Sequence, residues 1–158
     1  MKKQVLFIFC AALCASPLLA GGVGNQCGLA GTWWGQNFEY EQEYLVTIVP
    51  IGGGRFSAVV EGVNDFPPYE KFTSWRGEAI KTGSDTFAWN QILFGTVLGA
   101  EVPDIFAVRG EIDLVDCDHF DASFTFGAVY AWGQVPFVDE PLLELPPSSA
   151  SYTRMPAN

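Results

Sequence analysis

The sequence predicts an all-β protein, specifically an eight-stranded antiparallel up-and-down barrel. Apolar residues recur at every second position, clusters of Gly, Pro and Asp interrupt them at short spacing, and few windows have helical periodicity. A chain of 158 residues has room for one domain. With 49% hydrophobic and 16% charged residues, the composition excludes a disordered chain and a coiled coil. The formal net charge of -10 argues against a nucleic-acid partner.

The alternation of apolar and polar residues defines each predicted strand. In the segment 105–115, Phe106 and Ile112 are predicted to face one side of the sheet and Arg109 the other. Eight antiparallel strands of this length lose their unpaired edges by closing into a barrel. The predicted strands span roughly residues 32–40, 44–50, 55–63, 71–80, 86–94, 105–115, 121–132 and 150–155.

The first twenty-one residues have the pattern of a secretory signal peptide. Lys2 and Lys3 precede an apolar run from Val5 to Ala15, and small residues follow up to Gly22. We expect residues 1–21 to be removed, leaving one barrel domain over residues 22–158 that is exported to the periplasm or the extracellular medium. The run is too short for a comfortable membrane span. Cleavage makes the net charge two units more negative, which disfavours anionic surfaces as partners.

Two of the four cysteines remain after cleavage. Cys27 and Cys117 form an even pair in an oxidising compartment, so a disulfide is predicted. A lone metal thiolate or two free thiols are the alternatives. A disulfide closing a loop of about ninety residues would stabilise the fold by roughly 4 to 5 kcal/mol.

Strand parity sorts the connections between the two ends of the barrel. Long loops that include 64–69, 95–103 and 133–149 fall at one end, which we expect to be open. The Pro-rich segment 133–149 is expected to cross this end outside the sheet, because proline lacks a backbone donor. The compact turns fall at the other end. The same count places Cys27 and Cys117 together at that closed end.

The start and end of the barrel resemble those of a known family. Gly31-Thr32-Trp33 opens the first strand and Arg154 lies in the last. This pair resembles the signature of the calycins, which include lipocalins and avidins. The run from Cys27 to Trp33 is similar to the opening of avidins and of small bacterial metalloprotease inhibitors. The resemblance implies that Trp33 plugs the closed end and that Arg154 stacks over it. Gly35 replaces the polar ligand contact of avidins, so biotin binding is not expected.

A barrel of eight strands is just wide enough to be filled by side chains or to hold one small ligand. The predicted ligand pocket is apolar, with Asn37, Glu39 or Gln91 orienting the ligand. A solid aromatic core is the alternative. The aromatic residues predicted to point inward are Phe56, Trp75, Trp89, Phe106, Phe124, Phe126, Tyr130 and Trp132.

Exposed aromatic residues are predicted around the open end. Phe66, Tyr69 and Phe137 fall in the long connections, beside the leucines of segment 133–149. Apolar side chains on a rim suggest a gate for a ligand or a surface for a partner protein. The alternative is that the Pro-rich segment folds over the opening and buries its leucines there.

The residues favour binding without chemistry. His119 is surrounded by Asp113, Asp116, Asp118 and Asp121, but their spacing fits no calcium loop, so we expect a solvated acidic turn and no metal. Because His119 is the single histidine, no other histidine is available for a catalytic Ser/His pair, and no cofactor is expected. Acid–base isomerisation by Glu39 and Asn37 is a minor alternative, so an enzyme is disfavoured but left open.

The leading hypothesis is an exported, lipocalin-like barrel that binds a small, mostly apolar molecule. The alternative is a protein-binding module, such as a protease inhibitor, that uses the open-end loops or the start of the chain. An outer-membrane barrel is disfavoured because charged residues such as Arg76, Glu78 and Glu111 are predicted to face outward.

Overall fold

A computed structural model describes residues 27–37, 42–62 and 68–156. These residues form β-strands and turns, and no helix able to cross a membrane occurs among them. The predicted signal peptide and the predicted residues Glu39 and Phe66 lie outside these ranges. The strands are β1 (Gly31–Asn37), β2 (Gln42–Gly52), β3 (Arg55–Gly62), β4 (Tyr69–Phe72), β5 (Trp75–Lys81), β6 (Thr86–Val97), β7 (Asp104–Leu114), β8 (His119–Tyr130), β9 (Leu143–Leu145) and β10 (Ser148–Arg154).

The strands close into an antiparallel barrel with eight strand positions around its circumference, which confirms the predicted fold. Each position is called a wall of the barrel here. Each wall pairs with the next along the chain, and β10 pairs with both β8 and β1, which completes the ring. Two walls consist of two strands each. Both β4 and β5 pair with β6, while both β9 and β10 pair with β8. The barrel therefore has no free edge along these walls.

The wall made of β9 and β10 corrects one expectation. Leu143–Leu145 pairs with β8, opposite Val129 to Gly127, so this part of the Pro-rich segment lies in the barrel wall. Pro146 and Pro147 separate β9 from β10 and take no position in the ladder, as expected from their missing donors. The segment before Leu143 remains a loop.

A β-bulge in β8 changes which side chains point inward. Gly110 pairs with Phe124 and Arg109 pairs with Phe126, so Thr125 is an extra residue. Before the bulge, even-numbered residues face inward, and after it odd-numbered residues do. Phe126 and Tyr130 consequently lie on the outer face, where the simple alternation predicts them inside.

Trp33 lies at the centre of the closed end of the barrel, here called the floor. Its side chain is 0% exposed, and its indole Nε1 donates a hydrogen bond to the Leu29 carbonyl at 3.0 Å. The ring of Phe120 meets it edge-on at 4.7 Å between centroids, and Tyr152 stacks on Phe120 at 4.4 Å. Large rings therefore pack closely against one another at this end.

Arg154 and the disulfide hold the floor from below. The guanidinium carbon of Arg154 lies 4.0 Å from the centroid of the Trp33 ring. The guanidinium donates hydrogen bonds to the carbonyls of Cys117, Ala30 and Gly28 at 2.6, 2.8 and 2.6 Å. Cys27 and Cys117 form the predicted disulfide, with their Cα atoms 4.5 Å apart. The floor thus joins the start of β1, the turn before β8 and the end of β10.

Candidate functional site

A cavity of about 320 Å³ occupies the open half of the barrel, above the floor. This volume lies at the lower end of the range for small-molecule pockets. Most of the lining is aromatic or aliphatic. The residues that line it are Asn37, Gln42, Tyr44, Val60, Phe72, Trp75, Gln91, Leu93, Phe106, Val108, Phe124, Gly127, Leu145, Pro146, Ser148 and Tyr152.

Small residues and glycines on the inner face leave this half hollow. Gly127 faces the cavity, and Val60 and Val108 are the inward residues of their strands at this height. Gly35 makes room for a ring, because a Cβ atom there would lie 2.1 Å from the Tyr152 ring. The Tyr152 ring occupies the space beside Gly35 on β1, at the boundary between the floor and the cavity.

Five of the residues predicted to bind a ligand line the cavity together. They come from five different strands, which the barrel brings to one height. They are Asn37, Trp75, Gln91, Phe106 and Phe124.

Two predicted ligand-binding residues lie lower, in the packed floor. Phe56 meets Phe87 at 5.5 Å between ring centroids. Trp89 packs between Phe124 and Tyr152, at 5.7 and 6.2 Å. Neither ring reaches the cavity, because the rings above them separate the two regions.

Phe126, Tyr130 and Trp132 were also predicted to point inward, but they lie outside the barrel. Beyond the bulge, Phe126 and Tyr130 belong to a cluster on the outer face of the wall. Phe137 covers this cluster. Its backbone N–H donates to the Tyr130 hydroxyl at 3.0 Å, and Arg109 lies 4.3 Å over its ring. Trp132 is 56% exposed. Phe137 is therefore part of an outer cluster and does not face the cavity.

Tyr69 belongs to an aromatic cluster at the open end. Its ring meets Phe106 at 4.8 Å between centroids, and Phe72 meets Phe106 at 5.6 Å. The Tyr69 hydroxyl donates to the Asp104 carboxylate at 2.7 Å. Burial, and secondly this hydrogen bond, raise the pKa of Tyr69 to about 12. Phe72 and Phe106 of this cluster line one side of the cavity, and the hydroxyl of Tyr69 behind them is already bonded.

Among the described residues, the polar groups that line the cavity are few and uncharged. Asn37 and Gln91 are each 3% exposed. The Tyr44 hydroxyl donates to the Gln42 side-chain oxygen. Burial, and secondly the neighbouring Tyr44, raise the pKa of Tyr152, which keeps this phenol neutral. The sequence reasoning missed Gln42 and Tyr44, although alternation along β2 places both on the inner face with the buried Val46.

The acidic turn around His119 lies at the closed end, away from the cavity lining. The Asp116 carboxylate accepts a hydrogen bond from the backbone N–H of Asp118 at 2.7 Å and lies 2.9 Å from Nδ1 of His119. These contacts, the backbone bond first, lower the pKa of Asp116. In the described ranges no three His, Cys, Asp or Glu side chains gather as a metal site.

No family model matches the sequence, and a search of curated proteins finds no match. Solved structures that are distantly similar include redesigned β-barrels. One called mFAP1, bound to DFHBI, is 17% identical and covers 80% of this chain and 94% of its own, with a TM-score of 0.46. EF1p2_mFAP2b bound to DFHBI is 16% identical over 80% and 92%, with a TM-score of 0.48. A third, b11L5F_LGL, is 16% identical over 82% and 92%, with a TM-score of 0.49.

Proposed function

We propose that this protein binds one small, mostly apolar molecule in the barrel cavity and releases it unchanged. The observation that carries the proposal is the cavity of about 320 Å³ between the packed floor and the open end. Aromatic rings such as Trp75, Phe106 and Phe124, together with aliphatic side chains, supply most of its wall, with a few neutral polar groups among them. This combination of apolar surface and few polar groups is typical of ligand pockets.

Burial of apolar surface supplies the binding free energy. If ligand and wall together lose about 300 Å² of apolar surface, they gain roughly 7 to 8 kcal/mol at about 25 cal/mol per Å². The lost freedom of the ligand and the ordering of side chains reduce this gain. We therefore expect dissociation constants in the micromolar range or weaker.

A fluorescence titration tests the proposal. N-phenyl-1-naphthylamine is an uncharged dye that becomes bright in an apolar environment, so the protein should raise its emission in a saturable manner. Val108 lines the cavity, so Val108→Trp should fill the space and abolish the response. Val49 is 49% exposed on the outside of β2. Val49→Trp is the matched control and should bind like the parent protein.

Two results would contradict ligand binding in the cavity. One is no saturable emission with the parent protein. The other is equal emission with Val108→Trp, which would place the dye on the outer surface. Circular dichroism and an unfolding curve for both variants establish that each is folded.

Export and kinship with the calycins belong to the same proposal. The Gly31-Thr32-Trp33 opening and Arg154 stacked over Trp33 support a calycin-like barrel. The signal-like residues 1–21 and a disulfide that needs an oxidising compartment support export. Mass spectrometry of the protein recovered outside the cytoplasm should find an N-terminus between residues 21 and 23, and an intact N-terminus would contradict export by cleavage.

A further inference from the structure

We infer that the ligand is uncharged and has a hydrogen-bond-accepting oxygen that meets the side-chain amide of Gln91. This inference rests on the proposed function and specifies the chemical class of the ligand. It depends on two features of the cavity, its lack of charge and one buried donor without a partner.

Among the residues of the described ranges that line the cavity, none has a charged side chain. A carboxylate placed there would lose its hydration without gaining a cation, which costs several kcal/mol. The basic residues of the described ranges all lie elsewhere, namely Arg55, Lys71, Arg76, Lys81, Arg109 and Arg154. The acidic net charge of the chain adds to this selection against anions. Acids in their ionised form are therefore poor ligands.

Gln91 lines the cavity and supplies the hydrogen bond once its side-chain amide turns its donor toward the ligand. It lies on β6, is 3% exposed, and its Nε2 has no hydrogen-bond partner in the described structure. The residues directly opposite it on the neighbouring strands are Gly77 and Val108, whose side chains offer no acceptor. Leaving a buried donor unpaired is costly, so a ligand oxygen that pairs with it is favoured over a carbon in the same place.

A bound water would be a weaker solution at this position. A buried water is stable when it has two to four polar partners, and Gly77 and Val108, the residues paired with Gln91 on the neighbouring strands, have no side-chain acceptor to offer it. A ligand carbonyl needs only the one donor that Gln91 offers. The other buried donor without a partner in the described ranges, Nε1 of Trp89, lies in the floor and not on the cavity.

Three naphthalenes of nearly equal size test the inference. The probes are 2-acetylnaphthalene, which has a carbonyl oxygen, 2-isopropenylnaphthalene, which has a CH₂ group in its place, and 2-naphthoate, which is an anion at neutral pH. Each is titrated by displacement of N-phenyl-1-naphthylamine and by calorimetry. We expect the ketone to bind about tenfold more tightly than the alkene. The naphthoate should bind more weakly than the ketone by at least a similar factor.

Gln91→Met removes the donor at nearly the same volume and should abolish the preference for the ketone. Gln36 lies on the outward side of β1, and Gln36→Met is the matched control that should keep the preference. Equal affinities for ketone and alkene in the parent protein would overturn the inference without any variant, so it stays falsifiable even if Gln91→Met fails to fold.

The outcomes separate this inference from the proposed function. Equal affinities for ketone and alkene in the parent protein would overturn the role of Gln91 while ligand binding stands. A ketone preference that persists in Gln91→Met would do the same. Tighter binding of naphthoate than of the ketone would overturn the uncharged class. Failure of all three probes and the dye to bind would overturn the proposed function itself, and this inference with it.

Discussion

The two halves of the barrel use the same strands in opposite ways. In the floor, Trp33, Phe120 and Tyr152 interlock with ring centroids less than 5 Å apart, and the space is filled. In the open half, inward positions hold residues such as Val60 and Gly127, and a cavity of about 320 Å³ remains. Strand count sets the barrel diameter for both halves. Side-chain volume alone therefore decides which half is solid and which is hollow.

The halves also differ in whether their buried polar groups have hydrogen-bond partners. Arg154 in the floor donates to three backbone carbonyls, so its charge is paired with groups that fold with it. Gln91 in the open half keeps an amide donor without a partner. Because one half is packed and the other is hollow, the same change should have different effects in the two halves.

Loss of the disulfide should have the largest effect on stability. The bridge joins residues 90 positions apart, and removing it as Cys27→Ser with Cys117→Ser should cost roughly 4 to 5 kcal/mol of unfolding free energy. Urea unfolding of the double variant and of the parent protein measures this difference. A difference under about 1 kcal/mol would mean that the Trp33–Arg154 packing alone holds the floor.

Tryptophan truncations test the comparison between the halves directly. Trp33→Ala in the floor should cost about 3 to 5 kcal/mol, because it leaves a cavity in a packed region. Trp75→Ala should cost about 2 kcal/mol, because one side of that ring already borders a cavity. Trp34 is 43% exposed on the outside of β1, so Trp34→Ala should cost about 0.5 kcal/mol. Urea unfolding measures all three.

The order of the three values is the decisive readout. Equal costs for Trp33→Ala and Trp75→Ala would mean that the open half is as tightly packed as the floor. Ligand titration adds a second contrast, since Trp75→Ala should weaken binding of N-phenyl-1-naphthylamine and Trp34→Ala should not.

An alkaline effect on stability is expected at the open end. The pKa of Tyr69 is raised to about 12 in the folded protein, against 10.0 for an ordinary tyrosine. Folding thus favours the protonated phenol. The resulting stability is fully present below pH 10 and is lost as the pH rises toward 12. Tyr69→Phe should flatten the decline in unfolding free energy over this range, as measured by urea unfolding at several pH values.

Tyr152 serves as an internal reference in that experiment. Burial raises its pKa as well, but it is present in both proteins and its contribution cancels in the difference. Parallel curves for the parent protein and Tyr69→Phe between pH 10 and 12 would contradict the raised pKa of Tyr69 in the folded protein.

Local alternation and strand parity were sufficient to predict the barrel and its disulfide. Parity counts only connections, so it placed Cys27 and Cys117 at one end without any knowledge of side-chain packing. The start of β1 and the end of β10 meet there for the same reason. Features that depend on counting strands are robust because a shift of one or two residues at a strand end does not change the count.

The site was harder to predict, because whether a side chain points inward depends on how many residues precede it in its strand. The single extra residue Thr125 reverses the facing of all later positions in β8, which moved Phe126 and Tyr130 to the outer face. Nothing in the local sequence marks this bulge except Gly110 opposite it, where a Cβ atom would lie 1.7 Å from the Ser123 carbonyl oxygen. The heights of Phe56 and Trp89 also required the pairing register, which alternation does not contain.

The floor gathers both ends of the described chain on one side. Cys27 is tied to the turn before β8, and the backbone N–H of Met155 donates to the Thr32 carbonyl at 2.9 Å. Anything attached after residue 155, such as a tag, a linker or a solid support, would leave from the base and point away from the cavity. An immobilised sample would therefore present its opening to the solution.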